Sequence, residues 1–205
     1  MKQALVAGLN ALAIEASELQ VEKLLSFIEL LKKWNKVYNL TALKTDKEIL
    51  QLHILDSLTV LPFVKQSNNV LDIGSGAGLP GIPLAIMLPE TNFVLLDSNN
   101  KKTRFMQQAI IDLKLLNTST VHSRIEAFKP NCVFDSIITR AFAEIQETVD
   151  MLKFISTDNL RLLFMKSRTT DAELVKLDKT YDAQSFTLKL PDSEVERKLI
   201  LVSRK

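Results

Sequence analysis

Four of the five glycines in this 205-residue chain fall between residues 69 and 83, N-V-L-D-I-G-S-G-A-G-L-P-G-I-P. Gly74, Gly76 and Gly78 take alternate positions behind the apolar run 70–73, and Pro80, Gly81 and Pro83 lead into the apolar segment 82–88. Glycine admits positive φ and lets a ligand approach the backbone, while proline pre-sets φ in the first turn of a helix, where its missing N–H costs nothing. The stretch reads as strand, tight loop and helix, and a buried strand ending this way forms the floor of a nucleotide-type pocket at the carboxyl edge of a parallel sheet. The spacing narrows the ligand. A dinucleotide fingerprint needs glycine at its first, third and sixth places; here the sixth place is Leu79, and the third glycine comes one residue early at Gly78. Asp97, at the end of the apolar run 92–96, lies 19 residues beyond Gly78, close to the spacing at which an acidic residue accepts hydrogen bonds from ribose hydroxyls. A surface aspartate capping the next helix is the alternative reading of Asp97.

The pattern Asp72-x-Gly74-x-Gly76-x-Gly78 resembles the first motif of the class I S-adenosylmethionine-dependent methyltransferases. In that fold the residues after the fourth strand face the methyl group and report on the acceptor. Enzymes that methylate exocyclic amines carry an Asp/Asn-Pro-Pro-aromatic run there, and those that attack carbon 5 of cytosine use a cysteine. This chain has Thr139-Arg140-Ala141-Phe142, and its one cysteine, Cys132, precedes the strand and reads as a small apolar filler. An arginine there suits a ring nitrogen, whose free lone pair needs no deprotonation before it attacks, so the protein has mainly to align the reactants and exclude water. Arg140 would hold a phosphate, the cofactor carboxylate or the acceptor edge of guanine; the bland alternative is an ion pair with Asp135 or Glu144.

The elements around these residues follow from periodicity. Residues 1–60 have no glycine after Gly8 and their apolar positions recur at helical spacing. Ser17 is the expected N-cap of a helix that carries Val21, Leu24, Leu25, Ile28 and Leu31 on one stripe. A second helix is expected over 48–60, capped by Thr45 or Asp46, with His53 and Asp56 three apart on one face. Further strands are expected over 120–122, 135–139 and 159–165, helices over 101–115 and 171–178, and a closing strand pair over 185–190 and 198–202. The result is an α/β, Rossmann-like class I methyltransferase sheet, mostly parallel with an antiparallel C-terminal edge. One domain is expected over 1–205, with a helical extension, 1–64, packed on a sheet core, 65–205.

The net charge is +2 and the pI about 8.6, so any nucleic-acid role depends on a local patch. Lys101, Lys102, Arg104, Arg140, Lys166, Arg168, Arg197 and Lys198 all fall at strand ends or adjoining loops and helix starts, where clustering on one rim would suit RNA. With one cysteine and two histidines no metal site is expected. No apolar run approaches membrane-spanning length and the amino terminus lacks a signal-peptide layout, so a cytoplasmic enzyme without a membrane partner, acting as a monomer, is expected.

Taken together, Trp34-Asn-Lys-x-x-Asn39-Leu-Thr41, His53-Ile-Leu-Asp56-Ser57-Leu58, Gly74-Ser-Gly-Ala-Gly-Leu-Pro-Gly-Ile-Pro83, Leu96-Asp97-Ser98, Arg140-Ala-Phe-Ala143 and Glu196-Arg197 resemble the bacterial 16S ribosomal RNA guanine-7 methyltransferases, the glucose-inhibited division protein B family. The resemblance spans nearly the whole chain in order. It implies methyl transfer from S-adenosylmethionine to ring nitrogen 7 of one guanine in small-subunit rRNA, free or assembled. It also implies cofactor contacts at Gly74, Leu79, Ile125, Glu126 and Arg140, beside the Gly76, Gly78 and Asp97 of the loop and its ribose partner. Lys101, Lys102, Arg104, Lys166, Arg168 and Arg197 are the expected RNA contacts. Two positions depart from the family pattern: Ser167 follows Lys166 where glycine is usual, and Lys198 follows Arg197 where histidine is common. A small-molecule methyltransferase and a non-catalytic RNA-binding module are the competing readings, disfavoured respectively by the cationic strand ends and by the complete glycine loop.

Overall fold

The structure is a computed structural model that describes residues 1–167, 171–193, 195 and 197–205. Seven strands form one sheet: β1 (Asn69–Ile73), β2 (Asn92–Asp97), β3 (Thr118–His122), β4 (Ser136–Arg140), β5 (Arg161–Lys166), β6 (Tyr181–Leu188) and β7 (Arg197–Arg204). Their order is β3-β2-β1-β4-β5-β7-β6, parallel except at β7, which runs antiparallel to both neighbours. The order reverses between β1 and β4, which places a crevice outside their carboxyl ends. β6 begins four residues before the expected strand, extending pairing with β7 as far as Tyr181↔Arg204.

The amino-terminal helices are α1 (Lys2–Ala11), α2 (Glu18–Tyr38), α3 (Asp46–Ile49), α4 (Asp56–Leu58) and α5 (Leu61–Val64). The Ser17 hydroxyl accepts the Gln20 N–H while the Gln20 side chain accepts the Ser17 N–H, and Thr45 and Glu48 repeat the arrangement at α3. Between α3 and α4, Leu50–Leu55 forms a π-helical stretch, a widening often found at functional sites. The expected stripe on α2 buries Val21, Leu24, Ile28 and Leu31, together with Phe27, against α6 (Gly81–Met87) and α7 (Asn100–Asp112). Asn39 ends α2 at φ 49°, and the Asn35 side chain accepts the Thr41 N–H at 2.9 Å, turning the chain back toward the sheet edge. On the other face α8 (Ile145–Met151) and α9 (Asp171–Val175) cover β4 and β5 through a cluster that includes Ile137, Leu162 and Phe164.

Two carboxylates tie the loop after β1 to the sheet. Oδ2 of the fully buried Asp72 accepts the Gly81 N–H at 2.9 Å, and Oδ2 of Asp97 accepts the Gly76 N–H at 2.8 Å. Gly81 has no room for a side chain, since a Cβ would lie 2.7 Å from Asp72 Oδ2 and 2.2 Å from Leu95 Cδ2. Asp72 Oδ1 has no partner among the described residues. Burial pushes the Asp72 carboxyl up to about 7, against the pull of the Gly81 N–H and the Arg140 charge.

The unfolded chain therefore loses this proton near the ordinary carboxylate value while the folded chain keeps it until about pH 7. Across that window the folded state binds more protons, so Asp72 makes stability fall as pH rises. Asp72→Asn, which resembles the protonated form in shape, is expected to gain stability relative to the unsubstituted protein between pH 5 and pH 8. Urea unfolding of both proteins across that range checks this, and parallel pH curves would contradict it.

Candidate active site

Two cavities of about 430 Å³ each open along the carboxyl edge of the sheet. The first lies over β1, β2 and the turn after β3. Its loop side is Ile73 and Gly74, its middle is Asp97, and its far wall is Ile125 and Glu126. Gly74, Gly76 and Gly78 adopt φ of 67°, 59° and 74°, so all three sit in the left-handed region that the sequence spacing implies. Asp97 is 7 % exposed and both of its oxygens are engaged: Oδ2 with Gly76 N–H and Oδ1 with Asn99 N–H at 2.8 Å. Each oxygen keeps lone-pair capacity toward the cavity. The cap of α7 is Asn99, whose Oδ1 accepts the Lys101 N–H at 2.9 Å, so Asp97 does not cap that helix directly.

Not every loop residue reaches this cavity. Gly78 turns inward, where a Cβ would lie 2.3 Å from Ile82 Cδ1, and Leu79 is buried in the core. Lys102, expected as an RNA contact, lines the cavity instead, with its Nζ 3.9 Å from where a Gly76 Cβ would be. Phe142 crosses the mouth at Gly74, its Cδ2 2.9 Å from the position of a Gly74 Cβ. Arg124 and Phe142 line the cavity as well, beside the expected Ile125 and after Arg140, although neither was among the expected cofactor contacts.

The second cavity lies over β4, β5 and the start of β7 and is closed by the amino-terminal helices. Arg140 lies here, and it does not line the first cavity. Its Nη1 donates to the Leu52 carbonyl at 3.1 Å and to Asp56 Oδ2 at 3.2 Å, while Nη2 lies 3.4 Å from His53 Nδ1. Arg197 Nε donates to the other oxygen of Asp56 at 2.9 Å. The ion-pair partner of Arg140 is thus Asp56 and neither of the two acids nearest in sequence. Asp135 instead accepts the Asn68 and Asn69 N–H groups at the opposite edge of the sheet, and Glu144 pairs with Lys176 at 3.2 Å. His53 and Asp56 do share a face, and the Thr41 hydroxyl lies 2.6 Å from His53 Nε2. Burial, followed by the Arg140 charge, pushes His53 down to about 4, so the ring is neutral at physiological pH.

The expected basic rim is unevenly available. Lys166 is partly buried against Glu173 at 2.9 Å, and Arg197 is held by Asp56. Lys101 and Arg104 are exposed on the first turn of α7 and form no ion pair among the described residues. Arg168 and Glu196 lie outside the described residues. Cys132 is exposed in the loop before β4, which corrects its reading as an apolar filler: the buried residue of that loop is Phe134.

Comparison with known proteins agrees with this fold. The profile of one protein family, described as rRNA small subunit methyltransferase G (GidB), matches residues 20–200. A ribosomal RNA small subunit methyltransferase G of Ectopseudomonas mendocina is 46% identical over 203 residues, covering 98% of this chain and 94% of that protein. The protein of the same name from Pseudomonas syringae pv. tomato is 43% identical over 203 residues, covering 98% of this chain and 96% of its own length. Among solved structures, the magnesium protoporphyrin IX methyltransferase of Synechocystis, determined with bound S-adenosylmethionine, superposes with a TM-score of 0.64 over 87% of this chain and 97% of that one. A putative O-methyltransferase from Klebsiella pneumoniae gives 0.62 over 96% and 94%. At 13% and 12% identity these two speak for the methyltransferase fold alone. With its seven-stranded sheet, its glycine loop and a match along almost its whole length, the chain belongs to the rRNA small subunit methyltransferase G family.

Proposed function

We propose that this protein transfers a methyl group from S-adenosylmethionine to ring nitrogen 7 of a guanine in small-subunit (16S) ribosomal RNA. The observation that carries the donor half is the first cavity, where a loop with three positive-φ glycines meets a buried aspartate at the carboxyl edge of a parallel sheet. Family membership carries the acceptor half.

The residues present fit the cofactor. At Gly76 no heavy atom lies closer than 3.8 Å to where a Cβ would be, so the backbone there is open to close approach. Gly74 lines the cavity beside Phe142, Asp97 has spare acceptor capacity for ribose hydroxyls, and Ile125 with Glu126 forms the far wall for adenine. When bound, the sulfonium supplies an electrophilic methyl group. The protein's own task is alignment, because the N7 lone pair attacks without losing a proton. The Phe142 ring lies over the Gly74 end, and neutral His53 is not needed as a base.

Lys101 and Arg104, exposed on the α7 turn beside the first cavity, are assigned to the RNA phosphates, with Lys102 turned toward the cofactor. Lys166 and Arg197, each already ion-paired, contribute less to long-range attraction. No helix among the described residues is long and apolar enough to cross a membrane. A cytoplasmic location and action as a monomer complete this reading.

Tritiated methyl from S-adenosylmethionine is expected to enter small-subunit rRNA, as free RNA or assembled subunit, and to disappear with Arg140→Ala. Label confined to small metabolites would contradict the assignment. Asp97→Ala is expected to weaken S-adenosylmethionine binding about tenfold or more by calorimetry, the scale of a hydrogen-bonded charged partner lost. The double substitution Lys101→Ala, Arg104→Ala is expected to lower the log–log salt slope of RNA binding by about two; an unchanged slope would place the phosphates elsewhere.

A further inference from the structure

The second cavity has walls of two origins. The sheet edge contributes Arg140, Met165 and Arg197, and the amino-terminal segment contributes Thr41, Leu43 and Asp56. Asp56 has a side chain only 2% exposed, and each of its oxygens holds one guanidinium. A carboxylate so deeply buried is costly to desolvate and persists where its charge is matched. One arginine would match it; the second leaves the cavity with positive charge. The Leu52 carbonyl and the Asp56 pair fix the plane of Arg140, whereas Arg197 is held through Nε alone, with its two Nη groups unpartnered among the described residues.

The two cavities have a single lining residue in common, Ala141, which sits at φ 53° and turns the chain out of β4 between them. Whatever occupies the second cavity therefore lies against the donor site across one small side chain. The volume of about 430 Å³ falls within the range of small-ligand pockets, and Leu43, Leu52 and Met165 give it apolar surface for a flat ring. Guanidinium groups match both phosphate oxygens and the acceptor edge of guanine, and enzymes that modify a base commonly take it out of the stack.

We propose that the cavity between Asp56, Arg140 and Thr41 is the acceptor pocket, which takes one guanine nucleotide turned out of the RNA, with Asp56 as the positioning residue that sets Arg140 and Arg197 side by side. This rests on the methyltransferase reading above. In the pocket the guanine N7–methyl bond forms as the sulfur–methyl bond breaks; the electron pair returns to sulfur, the ring takes the positive charge and no proton moves. The amino-terminal segment is then part of base recognition. Its turn at Asn39 and its Thr41–His53 contact place one wall of the pocket.

Two variants of the full chain test this. Ala42 is exposed at the cavity mouth, so Ala42→Trp fills the pocket without entering the core. With tritiated methyl donor and small-subunit rRNA or subunits as acceptor, its kcat is expected to fall about a hundredfold, the scale of a misplaced reactant. Its affinities for S-adenosylmethionine and for RNA should stay within about threefold of the unsubstituted protein. Asp56→Asn is expected to lower kcat by a similar factor, with cofactor affinity and the KM for RNA retained. Near-normal kcat in Ala42→Trp, or loss of cofactor binding in either variant, overturns the proposal while leaving the family activity intact. An unsubstituted protein that binds S-adenosylmethionine but labels neither rRNA nor subunits overturns the parent reading, and this one with it.

Discussion

The glycine loop is held from below by carboxylates fixed at strand ends. Asp72 and Asp97 project from adjacent parallel strands paired in register from Asn69↔Asn92 to Ile73↔Leu96, and each accepts one backbone N–H from the loop. A loop built from positive-φ glycines takes its shape largely from the sheet, through these two bonds, through the Gly74 and Ser75 N–H groups, which donate to the Leu96 carbonyl, and through the Ser75 hydroxyl, which donates to the Asp72 carbonyl. The same anchoring has an electrostatic cost at Asp72, whose buried carboxyl resists ionisation, and it explains why Gly81 admits no side chain: the acceptor oxygen already occupies that space.

From that anchor the sheet edge divides into two territories at the reversal of strand order. On the β1–β2–β3 side the start of the loop, Asp97 and the Ile125–Glu126 turn line the first cavity. On the β4–β5–β7 side Arg140, Lys166 and Arg197 meet the amino-terminal helices. The helical extension does more than cover apolar surface. Its capped turns, the αL residue Asn39 and the π-helical stretch Leu50–Leu55 deliver Thr41, His53 and Asp56 to the cationic strand ends. A ring-nitrogen nucleophile attacks without losing a proton, so in such an arrangement geometry and water exclusion matter most.

Much of this architecture was written locally. The loop at 74–78, the caps at Ser17 and Thr45, the alternation of strands with helices and the spacing from Gly78 to Asp97 all follow from turn chemistry and hydrophobic period, and these signals need only neighbouring residues to be read. His53 and Asp56 were legible as one helical face for the same reason, although their purpose was not.

The charge pairing was a tertiary decision. Arg140 meets a carboxylate 84 residues away and Arg197 meets the same one 141 residues away, whereas acids close in sequence, Asp135 and Glu144, are drawn to backbone amides and to Lys176. No spacing rule announces such a triangle, because strand order, antiparallel entry of β7 and the return of the amino-terminal helices set it jointly. The same holds for Lys102, which lines the first cavity, and for Cys132, left on the surface while Phe134 enters the core. The sequence by itself determined the strand-loop-helix at the carboxyl edge of the sheet, since glycine and proline geometry is local. Which cations stand exposed and which meet a buried carboxylate was decided only where the sheet brought distant segments to a shared edge.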